Sequence, residues 1–413
     1  MAGASGDLPL RPREMRDRNR ALVLDAVARN EPVTRAQLAA RTSLTKSSVS
    51  SIVQELLAAR LVVEQGAQRG GDLGRPGTAL TLARDGLAGL GLEVNVDYLA
   101  ACVVDLARRI RVQYVEVGDN RARDPGAVVE LLVRLAGAAV AAAGTQGLTI
   151  SASCVAVPGL VEQETGTVVR APNLAWIGVP LRELLHGRVP SALTPVLVEN
   201  EANVAALGEL WFGDGAGHGD FVRISGEIGV GAGIVVAGQL FRGAHGHAGE
   251  LGHTTLEPDG AVCACGGRGC LELFAGQEAI LRRAGLDPAV STSTGNADGP
   301  VSVLADRLAA GDRLAAHALE VAGRGLGMAT ALLVKLVDPD TVVLGGIYAA
   351  LAPWLRASFQ RALLESIPMT RAAPPRIAIS ALGPDAAARG AAGLVTARML
   401  ARPGALLSAS ARA

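Results

Sequence analysis

The chain has little lysine, few aromatic residues, no net charge and no long uncharged apolar run. Lysine occurs only at 46 and 335 and aromatics make up 3% of 413 residues, a bias that reflects genomic base composition. No stretch of about 18 uncharged apolar residues is present, so no membrane-spanning helix is expected. The N-terminus is studded with arginine and has no apolar signal core, so secretion is not indicated and a cytoplasmic location is expected. Cysteine is scarce and odd in number, five, with three packed into residues 263–270. That pattern points away from a disulfide framework and towards a metal cluster in a reducing compartment. Zero net charge, from 39 basic and 39 acidic side chains, combined with 49% apolar residues excludes an intrinsically disordered chain. Taken alone it also suggests no polyanionic partner. No internal repeat recurs at a fixed period. The length suffices for two or three domains of roughly 150 residues, each with its own core.

The zero hides a split. Residues 1–84 hold 13 Arg/Lys and 8 Asp/Glu, a balance of +5, and residues 85–413 hold 26 and 31, a balance of −5. Only the N-terminal fifth therefore suits a polyanion. Residues 1–13 are Gly/Pro/Arg-rich without apolar period and read as a disordered arm. Helical spacing begins at Leu22, Val23, Ala26 and Val27. A second helix is expected after Thr34, where Thr34 and Gln37 make a capping box and Val33 and Leu38 sit at the staple positions. A third is expected after Thr45, with Leu44 and Val49 in the same relation and an apolar face of Val49, Ile52, Val53, Leu56 and Leu57.

The exposed side of that third helix offers Lys46, Ser47, Ser48, Ser50, Ser51 and Gln54. Two β-like runs, 61–63 and 78–82, flank a Gly/Arg-rich stretch that reads as a wing carrying Arg69 and Arg75. Together these predict a winged helix-turn-helix over 14–84 that binds duplex DNA as half of a symmetric dimer. Serine hydroxyls reach phosphates or base edges, Gln54 can pair with adenine, and Lys46 can neutralise a phosphate. Arg69 and Arg75 suit phosphate or the minor groove. The alternative, an ordinary solvated face of a helical bundle, leaves the coincidence of caps, hydroxyls, wing and charge unexplained.

Beyond residue 88, strand-like runs at 91–96, 99–106, 110–117, 148–157, 195–198, 220–225 and 230–237 alternate with helical patterns at 125–143, 201–212, 313–336, 351–366 and 386–401. This predicts α/β layers with more than one sheet. Residues 285–300 read as a surface loop. Cys263-x-Cys265, then four residues, then Cys270 lets a glycine-rich loop wrap three thiolates round one ion, with His253 as fourth ligand. Three sulfurs and a nitrogen, with no open position, suit structural zinc (Zn2+). Cys102 and Cys154 stand alone and read as buried thiols.

These residues carry a resemblance. The chain resembles the ROK family (repressors, open reading frames and sugar kinases) over nearly its whole length, and within it the transcriptional repressors of xylose-repressor and N-acetylglucosamine-repressor type. The resemblance rests on His247-Ala-Gly-Glu250-Leu-Gly-His253 running into Cys263 to Glu272, on Glu199-Asn200-Glu201-Ala-Asn203, on Gly229-Val-Gly-Ala-Gly233, and on Gly74-Arg75-Pro76-Gly77 in the wing. It implies an α/β actin-like (ribonuclease-H-like) two-lobed body behind the winged helix, in a homodimer or dimer of dimers. One lobe would comprise 85–200 with 386–402, the other 201–385 with the zinc loop 253–270. It implies that Asn173, Asn200, Glu201, Glu250, His253 and Glu272 face a sugar between the lobes, with His253 shared between zinc and sugar. A plainer role for Glu250 and Glu272, bracing the zinc loop, stays open.

The sequence departs from the family's kinases at two places. Where they carry Asp-x-Gly-Gly-Thr-Lys, this chain has Glu93-Val94-Asn95-Val96-Asp97-Tyr98, without the glycines whose bare amides cradle phosphate. Where they carry the aspartate that accepts the sugar's proton, it has Glu201. The surviving glycines 226, 229, 231, 233, 345 and 346 read as tight turns. The expectation is a non-enzymatic, sugar-responsive regulator, a repressor of carbohydrate uptake or catabolism genes released by sugar. A bifunctional sugar kinase, a regulator relieved by a protein partner, and activation instead of repression are the alternatives.

Overall fold

Local rules account for the first helices. The computed structural model describes residues 12–68, 77–121, 123–189, 193–213, 219–288, 299–368 and 374–404. Helix α1 (Pro12–Asn30) opens two residues inside the expected arm, whose first 11 residues lie outside the described set. A two-residue strand β1 (Val33–Thr34) leads into α2 (Arg35–Thr42), where the Thr34–Gln37 capping box forms in full, and α3 (Lys46–Ala58) starts from the Thr45 cap. The wing strands are β2 (Val62–Gln68) and β3 (Gly77–Leu82), antiparallel, with β1 on the far side of β3. Strand β2 runs past its expected end through an irregularity between Gln65 and Ala67. The stretch bearing Arg69 and Arg75 lies outside the described residues, as does most of the 285–300 loop.

A meander of β4 (Gly86–Val94), β5 (Tyr98–Asp105) and β6 (Ile110–Val117) follows, then α4 (Pro125–Thr145) and β7 (Leu148–Val157). Helix α4 is long and apolar enough to cross a membrane by length and composition; here its Val128, Val129, Leu132 and Ala136 are buried in the core over this sheet. A small antiparallel sheet that the sequence pattern did not suggest, β8 (Leu160–Glu162), β9 (Thr167–Ala171) and β10 (Trp176–Val179), precedes α5 (Leu181–Leu185), β11 (Val196–Asn200) and α6 (Glu201–Phe212).

The second large sheet is built from β12 (Phe221–Gly226), β13 (Val230–Val236) and β14 (Gln239–Leu240), followed by the short helices α7 (Glu272–Ala275), α8 (Gln277–Arg283) and α9 (Pro300–Ala309). Long α10 (Arg313–Val337), β15 (Thr341–Gly346), α11 (Ile347–Ala350), α12 (Ala352–Ser366) and β16 (Arg376–Ile379) complete it, and α13 (Ala386–Ala401) returns to the first sheet. The orders are β6-β5-β4-β7-β11 and β14-β13-β12-β15-β16. Each is an antiparallel meander extended by two parallel strands, so one topology occurs twice although no sequence repeat announces it. Each sheet has its own buried core.

Helices α6 and α13 lie side by side and close. A Cβ on Gly390 would sit 1.7 Å from the Val204 carbonyl oxygen, so only glycine permits this approach. A third core joins Val23, Leu24 and Val27 of α1 with Leu207 of α6 and Val395, Met399 and Leu400 of α13. The winged helix is thus packed on the same helix pair that floors the body.

Candidate functional site

One narrow cleft gathers all six residues expected at a sugar: Asn173, Asn200, Glu201, Glu250, His253 and Glu272. They arrive from separate elements. Asn173 lies in the tight turn after β9, Asn200 ends β11, and Glu201 opens α6. Glu250 and His253 flank the turn at 251–253 and Glu272 opens α7. Glycine 229 makes room for two of them, since a Cβ there would lie 2.3 Å from Glu272 Oε2 and 3.1 Å from Asn173 Nδ2. Asn200 is half engaged already: its Oδ1 accepts from Asn203 N at 3.1 Å as the cap of α6, and its Nδ2 donates to Gly159 O at 2.8 Å. One amide hydrogen and one lone pair are left for a ligand. Burial raises the carboxyls of Glu250 and Glu272 above the ordinary range, with His253 pulling the other way. A wall of carboxylate and amide groups in fixed directions matches hydroxyls that both donate and accept.

Beside the cleft, His253, Cys263, Cys265 and Cys270 bring four ligand atoms within 4.8 Å of one another. Cys265 Sγ and Cys270 Sγ are 3.7 Å apart and Cys263 Sγ is 3.9 Å from His253 Nδ1. An edge of about 3.8 Å is what tetrahedral thiolates at zinc distance require, so the set could hold one such ion. The other nitrogen of His253, Nε2, lies 4.0 Å from Glu250 Oε2. The ring faces the thiols with one edge and the cleft carboxylate with the other.

Glu201 and Glu227 line the cleft, and the buried Glu93 lies behind them within reach of the charge of Glu201. Burial followed by that charge pushes the Glu93 carboxyl up to about 8. Burial also raises Glu201 and Glu227, the latter helped by repulsion from Glu201 and Glu93. Sequence reasoning named Glu93 only as the start of the stretch that replaces a phosphate loop, and did not name Glu227, which lies just past the end of β12.

The elements around the two large sheets also touch through side chains that the sequence reading missed. Arg242, just after β14, holds Glu199 at the end of β11. Arg170 of β9 donates to the carbonyl of Ala264 in the cysteine loop at 3.0 Å. These partners are far apart in sequence, and no local signal marks them.

On the N-terminal module, Lys46, Ser47, Ser50, Ser51 and Gln54 are exposed along α3. Ser48 differs in being half-buried; its Oγ lies 2.8 Å from the Thr45 hydroxyl in the helix cap, which Ser47 Oγ also approaches at 3.0 Å. Behind α3, Arg16 and Arg20 of α1 grip Glu55. Burial opposes its ionisation, but these hydrogen bonds prevail and hold the carboxyl below its ordinary range.

Residues 89–398 match the ROK family, and residues 17–71 match the MarR family. The chain belongs to the ROK family. It is 32% identical over 337 residues to the xylose repressor of Caldicellulosiruptor bescii, covering 79% of this chain and 82% of that protein. A solved ROK family transcriptional regulator, described as a homologue of the E. coli MLC protein, superposes with a TM-score of 0.78 at 26% identity, covering 97% of this chain and 100% of that one. The glucokinase of Streptomyces coelicolor is 34% identical over 278 residues, covering 62% of this chain and 82% of the enzyme. The winged helix followed by a twice-repeated α/β sheet is therefore a ROK architecture with a DNA-binding module in front.

Within this ROK body the loop between β4 and β5 bonds back on itself. Asn95 Oδ1 accepts from the Val96 amide at 2.6 Å and lies 3.5 Å from the Asp97 amide, and the Asn95 amide donates to Tyr98 O. The Val96 amide is thus taken up by the loop's own side chain. Glu227, which lines the cleft, packs its Oε1 against Gly346, where an added Cβ would lie 2.7 Å from it.

Proposed function

We propose that this protein is a sugar-responsive transcriptional repressor: the winged helix holds a duplex DNA operator and releases it when a sugar occupies the cleft. One observation carries the reading. Asn200 and Glu201 of the cleft begin α6, α6 lies against α13, and α13 shares a buried core with α1 of the winged helix. A sugar pulling on the start of α6 therefore acts on a stiff path to the DNA-reading module. For release, the sugar must bind the non-DNA conformer better, and tenfold release needs only about 1.4 kcal/mol of that preference.

Asn173, Asn200, Glu201, Glu250, His253 and Glu272 bond the sugar hydroxyls, while Lys46, Ser47, Ser50, Ser51 and Gln54 face the DNA. Zinc, held by His253, Cys263, Cys265 and Cys270, would supply a cross-link that orders the loop. With four protein ligands it leaves no position for an activated water. His253 then carries loop order into the cleft. The working units are the winged helix 14–84, a lobe of 85–200 with 386–402, and a lobe of 201–385, in a cytoplasmic homodimer on a palindromic site. Catalysis is not part of the reading. The Val96 amide already donating to Asn95 Oδ1 and the acidic side chains of Glu201 and Glu227 in the cleft oppose a triphosphate.

The test is DNA selected from a random duplex library on the full chain, followed by fluorescence anisotropy with xylose, glucose and related sugars. One sugar should release the DNA, and Glu250→Ala should bind DNA normally but ignore the sugar. Equal release of variant and wild type, or ATP-dependent phosphorylation of any of these sugars, overturns the proposal.

A further inference from the structure

Past the tight cleft, the same wall opens outward. Asn173, Ile228 and Glu272 line the inner cavity of about 80 Å³ and also an outer groove of about 590 Å³. The outer groove adds Ala264 of the cysteine loop, Leu273 of α7, and Glu278, Arg282 and Arg283 of α8. We propose that this groove is a second subsite, which takes the outer ring of a neutral disaccharide whose inner ring sits in the cleft. The inference rests on the cleft being a sugar site.

Continuity is the first argument. Asn173 and Glu272 meet over Gly229 at the partition and present polar atoms to both spaces, so a ligand that they hold at its glycosidic side reaches each. Size is the second: a single ring in the inner cavity leaves the much larger groove empty.

Charge decides the class. Glu272 and Glu278 balance Arg282 and Arg283, so the groove has no net charge. Arg282 Nη2 is already committed to Glu278 Oε2 at 2.7 Å, and Arg283 Nη1 reaches the Phe274 carbonyl at 3.4 Å. A phosphate would have to strip Arg282 from its partner and face two carboxylates. Hydroxyls suit donors and acceptors set side by side, and Ile228, Leu273 and Ala264 give the C–H face of a ring an apolar surface. The groove also borders the interlobe clasp, because the Ala264 carbonyl that Arg170 holds belongs to a residue of its wall. An occupant there bears on lobe spacing as well as on affinity.

The experiment is isothermal titration of the full chain with glucose, xylose and galactose, with maltose, cellobiose, lactose, sucrose and xylobiose, and with glucose 6-phosphate. At least one disaccharide is expected to bind about tenfold or more tightly than its component monosaccharides. Arg282→Ala and Arg283→Ala should remove most of that advantage, leaving monosaccharide affinity and the melting temperature of the free protein unchanged. Arg282 is largely exposed, so its variant guards against a folding defect in the other. Monosaccharides binding as well as every disaccharide would overturn the subsite and leave the cleft reading intact. Tighter binding of glucose 6-phosphate, lost in Arg282→Ala, would overturn its neutral character. No binding by any of these sugars would overturn the cleft reading and the subsite together.

Discussion

Arg242, just after β14 of one large sheet, grips Glu199 of β11 in the other, Nε and Nη2 donating to one carboxylate oxygen at 3.0 and 2.9 Å. Glu199 is only 4% exposed and also receives Gln163 and the Asn203 amide, so its charge is held from several sides at once. Removing the arginine leaves a buried carboxylate short of a counter-charge. Arg242→Ala should lower stability by about 1–3 kcal/mol, below the usual cost of breaking a fully buried pair because Arg242 keeps some water contact. Adding Glu199→Gln should recover part of the loss. Urea unfolding of the two single variants and the double variant measures the coupling, and additive effects would remove the Arg242–Glu199 latch from the account.

Gly229 lies in the cleft wall between Glu272 and Asn173. Gly229→Ala puts a methyl 2.3 Å from Glu272 Oε2, and the carboxylate must swing away. Sugar affinity should fall by about tenfold or more, the scale of one lost charged hydrogen bond, while operator binding persists. Calorimetry alongside anisotropy separates the two. Loss of DNA binding in the same variant would mean that the wall is structural.

Of the serines on α3, the half-buried one should behave unlike the exposed ones. Ser48 is half-buried with its Oγ 2.8 Å from the Thr45 hydroxyl; Ser48→Ala keeps the backbone N–H that Thr45 caps but loses this side-chain bond, which should cost about 0.5–1 kcal/mol of stability and leave sequence preference untouched. Lys46→Ala should weaken binding evenly across DNA sequences and reduce the salt slope by about 1. Gln54→Ala should instead relax preference at one base position. Salt titrations on matched and mismatched duplexes distinguish these outcomes.

How much of this was legible in the sequence follows from the range of each interaction. The Thr34–Gln37 box and the Thr45 cap are contacts within four residues, and their chemistry is written in adjacent letters. Strand β15 was not seen, because Thr341–Gly346 is buried on nearly all positions and shows no alternation. The second copy of the sheet topology left no repeat, since a topology constrains which residues are apolar and not which letters recur. The cleft residues were named through motifs, yet the Arg242–Glu199 latch, 43 residues apart, needed the folded chain to appear.

The cysteine cluster should bind one equivalent of zinc. Chelation, or Cys265→Ser, should lower the melting temperature and weaken sugar binding together, because His253 turns its Nδ1 to the thiols and its Nε2 to Glu250. Elemental analysis, melting and calorimetry on the same preparations provide the check. Sugar affinity unchanged after full removal of zinc would uncouple the loop from the cleft.

The pH dependence of stability should betray Glu93. Tyr98 Oη lies 2.6 Å from Glu93 Oε1 and 2.8 Å from the Pro384 carbonyl oxygen, and one phenol proton cannot serve both. A protonated Glu93 supplies the missing hydrogen, in keeping with a carboxyl pushed by burial from 4.5 up to about 8. Between those values the folded protein keeps a proton that the unfolded chain has released. Stability from this group is therefore full below about pH 4.5 and falls as pH rises towards 8, by on the order of a few kcal/mol. Glu93→Gln retains a donor for Tyr98 and an acceptor for the Ala388 amide without any charge to bury. The variant should match wild type at pH 5 and exceed it at pH 8.5 in urea unfolding. If the two track each other at both pH values, Glu93 is ionised in the fold and the phenol must choose between its partners.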